Sequence, residues 1–219
     1  MLTAIGDVFR HAYDKGHISV RDGNISLHRK NSNVLYITPS GVRKTIIHPE
    51  SIIKRKWVYD DRLQKTHTQD SLKGVISRPR GELELHEQLQ RNAVTTRAVV
   101  HLHSTHIIAC MLKGFELNQL VNMFPELGRY TTVAPNVGIL PPISHELAMA
   151  TYRSMTGQSS SFYDGDIDMF KAPIFDVVGL GGHGVVAVSS DPWSGWEAIE
   201  RLDHVCQIVL LSGMRPKDL

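Results

Sequence analysis

Ala98-Val99-Val100-His101-Leu102-His103-Ser104-Thr105-His106 is an apolar run that closes on two histidines and opens into a polar turn. Apolar, β-branched residues predict a strand, and successive strand side chains alternate between faces, so His101 and His103 point the same way and can grip one cation. A third imidazole comes from His183, in Gly179-Leu180-Gly181-Gly182-His183-Gly184, where glycines allow a tight turn close to other backbone. Three histidines leave a fourth position for water or substrate, whereas a structural zinc site would fill it with cysteine or histidine. The competing reading is three partly buried, hydrogen-bonded histidines in a chain that has twelve.

Ser104 is placed to cap a helix through Ile107, Ile108, Met111 and Leu112 to Gly114, which sets the paired histidines at a strand-to-helix turn. His106 falls in the first turn of that helix, at the surface or behind the ligands. Upstream, Leu2, Ile5, Val8, Phe9 and Ala12 recur at helical spacing and stop at Gly16. Asp22-Gly23-Asn24 then turns into Ile25-Ser26-Leu27, and Val34 to Thr38 is a second short strand ending at Pro39-Ser40-Gly41. Either turn alone is ordinary hairpin chemistry. Together they offer backbone N–H groups, the Asn24 amide and the Ser40 hydroxyl, the parts of an anion nest suited to phosphate.

Residues 46 to 76 read as two or three short strands with solvated charges. Arg78-Pro79-Arg80-Gly81-Glu82 leads into a helix carrying Leu83, His86 and Leu89. Glu82, at the loop-to-helix junction, can cap that helix or project into a cleft as an acid/base. Val121 to Pro142 is punctuated by proline and reads as strand-like, and a helix follows from Ser144 to about Met155. The Asp164, Asp166, Asp168 pattern lies in a loop and lacks the glycine and terminal glutamate of a calcium loop. Phe175 to Leu180 and Val185 to Val188 form a strand pair around His183. Asp191-Pro192 then opens the longest helix, whose stripe is Ile199, Leu202, Val205, Cys206, Val209 and Leu210.

The chain has 219 residues, 42% of them hydrophobic, and a net charge of +2, with no basic block to neutralise a phosphate backbone. Nucleic acid is therefore not an expected partner. No apolar run spans a membrane, and the segment beginning Met1-Leu2-Thr3 has no basic-then-apolar signal, so the expected compartment is the cytoplasm. Cys110 and Cys206 are expected as buried thiols rather than nucleophiles. No repeat or linker divides residues 1–219, which predicts one domain.

Gly23-Asn24-Ile25-Ser26, Thr38-Pro39-Ser40-Gly41, the Pro79-to-Glu82 segment, His101-Leu102-His103 and His183-Gly184, in this order, resemble the class II aldolase and adducin family. The resemblance covers nearly the whole chain. It implies an α/β fold, a three-layer α/β/α domain around a mostly antiparallel central sheet, assembled as a homotetramer with sites at subunit boundaries. It also implies that His101, His103 and His183 hold a divalent metal, zinc first, with manganese, cobalt or iron as alternatives. Asn24, Ser40 and Gly41 would receive the substrate phosphate, with Arg80 and Gly81 completing the substrate site.

By the same resemblance Glu82 would be the acid/base, and its role calls for a pKa nearer neutrality than that of a free glutamate. The implied function is a metal-dependent aldolase, a carbon–carbon lyase acting on a small phosphorylated ketose or sugar acid through an enediolate. A 4-epimerase, a dehydratase or a decarboxylase on the same site are the alternatives, as is a non-catalytic adducin-like interaction module. Two departures from the aldolase pattern stand out. Arg80-Gly81 replaces a serine pair, so Arg80 would fork onto phosphate, serve a carboxylate substrate, or face solvent. The tyrosine that a neighbouring subunit supplies has Phe124 at its ungapped position, with Tyr130 nearby.

Overall fold

The computed structural model describes residues 1–60, 65–70, 82–158 and 167–218. Seven antiparallel strands form its centre: β1 (Asn24–His28), β2 (Val34–Ile37), β3 (Ile53–Asp60), β4 (Lys65–Asp70), β5 (Arg97–Leu102), β6 (Val177–Leu180) and β7 (Gly184–Ser189). Their order across the sheet is β4-β3-β2-β1-β5-β7-β6. β5, which carries the histidine pair, is therefore central, with β1 on one side and β7 on the other. Its register sets Asn24 opposite His101 on β1 and Val186 opposite His101 on β7.

The strand period divides β5 cleanly. Ala98, Val100 and Leu102 enter a core shared with α1 (Leu2–Asp14), α3 (Thr105–Leu112), α4 (Leu117–Met123), α5 (Pro125–Tyr130) and α7 (Pro192–Leu211). Val99 faces the opposite core, built with α2 (Leu83–Gln90) and α6 (His145–Thr156). Helices thus cover both faces of the sheet, giving the expected α/β/α layering. Asn24, Ser26 and His101 fall on the α2 face, so a polar strip of strand lies under a helix that carries His86 and Gln90.

Two expectations change. The Val121–Pro142 stretch is not strand-like: it opens with the end of α4 and with α5, where Pro125 takes the first helical position and its missing N–H costs no bond. Only single bridges, Val133 to Val177 and Val137 to Leu180, follow. Ser104 stands at the N-cap of α3 but does not cap it through its side chain. The acceptor there is Asp203 of α7, which takes N–H groups from His106 (3.2 Å) and Ile107 (3.3 Å) and the Ser104 hydroxyl.

Other local signals behave as their chemistry dictates. Ser144 accepts from Leu147 N at 3.0 Å to start α6, and Asp191 accepts from Trp193 N and Ser194 N to start α7. Cys110 and Cys206 are both buried free thiols. No helix among the described residues is long and apolar enough to cross a membrane.

Candidate metal centre and active site

His101 at the end of β5, His103 just beyond it and His183 at the β6–β7 turn converge. Ligand atoms of all three lie within 4.8 Å of one another, and the ring centroids are 4.9 to 5.0 Å apart. His101 Nε2 is 3.1 Å from His103 Nε2, close to the ~3.3 Å edge of a tetrahedron of nitrogens around zinc. His101 Nδ1 is 3.0 Å from the Val185 carbonyl, to which it must donate, leaving the Nε2 lone pair toward the other two rings. Burial pushes His101 down from its usual pKa and His103 down to about 4, so both are in the neutral form that ligates metal. Donor type, spacing and orientation fit a divalent ion held by His101, His103 and His183.

The approach of His183 depends on its neighbour. A Cβ at Gly184 would lie 2.5 Å from the Leu102 carbonyl oxygen and 3.0 to 3.1 Å from the rings of His101 and His103. Hydrogen at that position is what allows β7 to lie against the paired histidines.

Glu82 occupies the N-cap of α2 without capping it, and its carboxylate turns to the histidines. Oε1 is 2.9 Å from His183 Nε2 and Oε2 is 3.3 Å from His101 Nε2. Asn24 Nδ2 donates to Oε2 at 2.7 Å. Burial by itself would raise the Glu82 carboxyl, but His101 and the hydrogen bonds from His183 and Asn24 outweigh it and hold it well below the ordinary range. In the chain by itself, the donors around Glu82 thus favour its ionised form.

The sequence reading placed His86 only on a helix, yet it organises this corner. Asn24 Oδ1 bonds His86 Nε2, and His86 Nδ1 lies 2.7 Å from Ser26 Oγ, which accepts from Gln90 Nε2 at 3.1 Å. Since Asn24 spends an N–H on Glu82, its carbonyl must accept from His86 Nε2, and Ser26 then donates to His86 Nδ1. Burial pushes His86 down to about 3, which keeps the ring neutral as this single direction of donors requires.

A cleft of about 260 Å³ opens beside the histidines. Asn24, Ser40, Gly41, Glu82, His103 and His183 all line it. Gly41 is left-handed (φ 73°), as the turn after Pro39-Ser40 requires, and its neighbourhood is open. Arg80 and Gly81 lie outside the described residues, as do Asp164 and Asp166. His106 sits behind the ligands, its Nδ1 2.7 Å from Asp203 Oδ2. Tyr130 is more than half exposed and stacks with Arg129 and Arg201, away from this chain's cleft. Lys44 and Ile143 also line the cleft and carried no local sequence signal; their presence there follows from tertiary folding.

Residues 3–210 match the family described as Class II Aldolase and Adducin N-terminal domain, and the chain belongs to that family. It is an enzyme of the class II aldolase type. An L-fuculose phosphate aldolase of Methanococcus maripaludis strain C5 is 26% identical over 198 residues, covering 90% of this chain and 88% of the relative. A sugar-phosphate aldolase from Thermotoga maritima shares the fold at a TM-score of 0.71 and 19% identity, over 98% of this chain and 97% of that one. YgbL from Klebsiella pneumoniae, described as an aldolase, epimerase or decarboxylase, superposes at a TM-score of 0.70 and 18% identity, over 97% and 89% of the two chains.

Proposed function

We propose that this chain is a metal-dependent carbon–carbon lyase that cleaves a small phosphorylated ketose or related sugar acid. The observation that carries the reading is Glu82 hydrogen-bonded to His183 and within 3.3 Å of His101 Nε2, at the wall of a donor-lined cleft. His101, His103 and His183 would hold a divalent ion, zinc first among the candidates, which would supply Lewis acidity to a carbonyl beside the breaking bond. Glu82 moves the proton between the substrate carbon and solvent; its oxygens are the bases nearest the ligand nitrogens. Asn24 holds Glu82 Oε2 through one amide hydrogen and keeps the second for substrate. Ser40 and the Gly41 turn receive the substrate phosphate, and Arg80 and Gly81 are assigned to substrate binding by the family pattern alone.

The same reading makes residues 1–219 a single cytoplasmic domain that works as a homotetramer on a small-molecule substrate, without nucleic acid or membrane. Tyr130, exposed and remote from its own cleft, is available to a neighbouring subunit but not to its own. Phe124, at the ungapped position of the aldolase tyrosine, favours a second reading, in which no tyrosine acid serves the leaving aldehyde and the site runs epimerisation, dehydration or decarboxylation of a sugar-acid phosphate. A screen of phosphorylated ketoses and sugar acids with added zinc separates the two. Aldehyde release from a ketose phosphate supports the lyase, and turnover without aldehyde supports the second reading. No turnover of any substrate by metal-loaded protein would favour an adducin-like interaction module.

A further inference from the structure

Lys44 is 2% exposed, yet it lines the cleft with Ser40, Gly41 and Glu82. Its ammonium donates to the Pro39 carbonyl at 3.0 Å and lies 5.8 Å from the centre of the Phe9 ring. Among the described residues no carboxylate forms an ion pair with it. Asp22 and Glu82 attract it from a distance, but Glu82 is bonded to Asn24 and His183, and Asp22 lies 3.9 Å from His103 Nδ1. Arg21, another cation lining the cleft, is exposed and donates one guanidinium N–H to the Gly41 carbonyl. A buried cation matched only by a neutral carbonyl and an aromatic face is unfavourable, and proteins rarely retain one without a counter-charge. Burial accordingly pushes Lys44 down to about 8 against the pull of the two carboxylates.

We infer that Lys44 is the cation of the substrate-anion site, placing its ammonium against an oxyanion of the substrate seated on the Pro39-Ser40-Gly41 turn. The inference rests on the reading of this cleft as a sugar-phosphate or sugar-acid site and names the residue that gives it charge. Two of the three ammonium hydrogens remain after the bond to Pro39, enough to bridge two oxygens of a phosphate or a carboxylate. The bond to Pro39 also fixes the ammonium to the turn whose N–H groups serve the same anion, so charge and dipoles converge. A lysine that merely braced the turn would do so equally well as a neutral donor.

That distinction sets the test. Lys44→Gln keeps an N–H donor for Pro39 and removes the charge, and Lys44→Met removes both. Calorimetric binding of inorganic phosphate and, separately, of glycolate to zinc-loaded protein is compared for wild type and both variants, with bound metal and unfolding midpoint measured alongside. Loss of a charge-assisted contact predicts weaker binding by about tenfold or more in both variants, with metal content unchanged. A loss for phosphate identifies a phosphate site, and a loss for glycolate identifies a carboxylate site. Equal affinity of wild type and Lys44→Gln for both anions overturns the inference, as does failure of metal-loaded wild type to bind either. Loss of metal in the wild type would instead count against the catalytic reading.

Discussion

Asn24 and His86 set the direction of the hydrogen bonds that reach Glu82 from the sheet, and this is where a single side chain has the largest reach. Replacing Glu82 with Gln keeps the shape and removes the base. Turnover is expected to fall about a hundredfold or more while metal per chain stays constant; full activity in Glu82→Gln would refute the assignment. Replacing His86 with Leu leaves Asn24 Oδ1 and Ser26 Oγ short of a partner. It is expected to cost about 1–3 kcal/mol in denaturant unfolding and to lower kcat more than it changes KM. A variant with lower stability but wild-type kcat would make His86 purely structural. Glu82 was legible as a candidate because Pro79 and Gly81 mark a loop just before a helix. His86 was not, because its importance comes from β1 lying under α2, a contact between residues about sixty positions apart.

The elements hold the histidines by two contacts, one at each end of the triad. At β7, Gly184→Ala would push a methyl group into the Leu102 carbonyl and the two rings. Metal affinity is expected to drop by more than the stability loss accounts for, measured by metal titration beside thermal unfolding; unaltered affinity would show that the strands part without disturbing the ligands. At α3, the acceptor is Asp203, which burial would raise but which hydrogen bonds from His17, Ser104 and His106 hold well below the ordinary carboxylate range. A depressed folded-state value means that its stabilisation is complete above the unfolded value of about pH 4 and is lost as pH falls through the folded one. Stability should therefore decline below about pH 4, and Asp203→Asn should be less stable near neutrality with a shallower acid decline. The same slope in both proteins would contradict this. The strand-to-helix turn after His103 was readable from local pattern, since a period of two gives way to helical spacing. Its capping group was not, because a carboxylate on the last helix supplies what Ser104 was expected to supply. Residues 121–130 misled for a related reason: two short helices with a proline between them lack the length over which helical periodicity shows.

At the scale of the molecule, α/β/α layering follows from strands that are apolar on both faces, as Val99 beside Val100 is on β5, and from amphipathic helices at the two ends of the chain. Ile139, Ile143, Phe170 and Ile174 remain exposed on the folded chain. Apolar side chains of that size left to solvent accord with a further copy covering part of the surface. Light scattering is expected to give a tetramer of 24.5 kDa chains, and a monomer at micromolar concentration would remove the subunit-boundary site from the account. The central claim is the three-histidine metal centre, and elemental analysis tests it most directly. Protein purified without added metal or chelator should carry close to one divalent ion per chain, and His103→Ala, still folded by circular dichroism, should carry almost none. Wild-type protein that holds no ion even after soaking with zinc, or a His103→Ala variant that holds as much as wild type, would contradict the account.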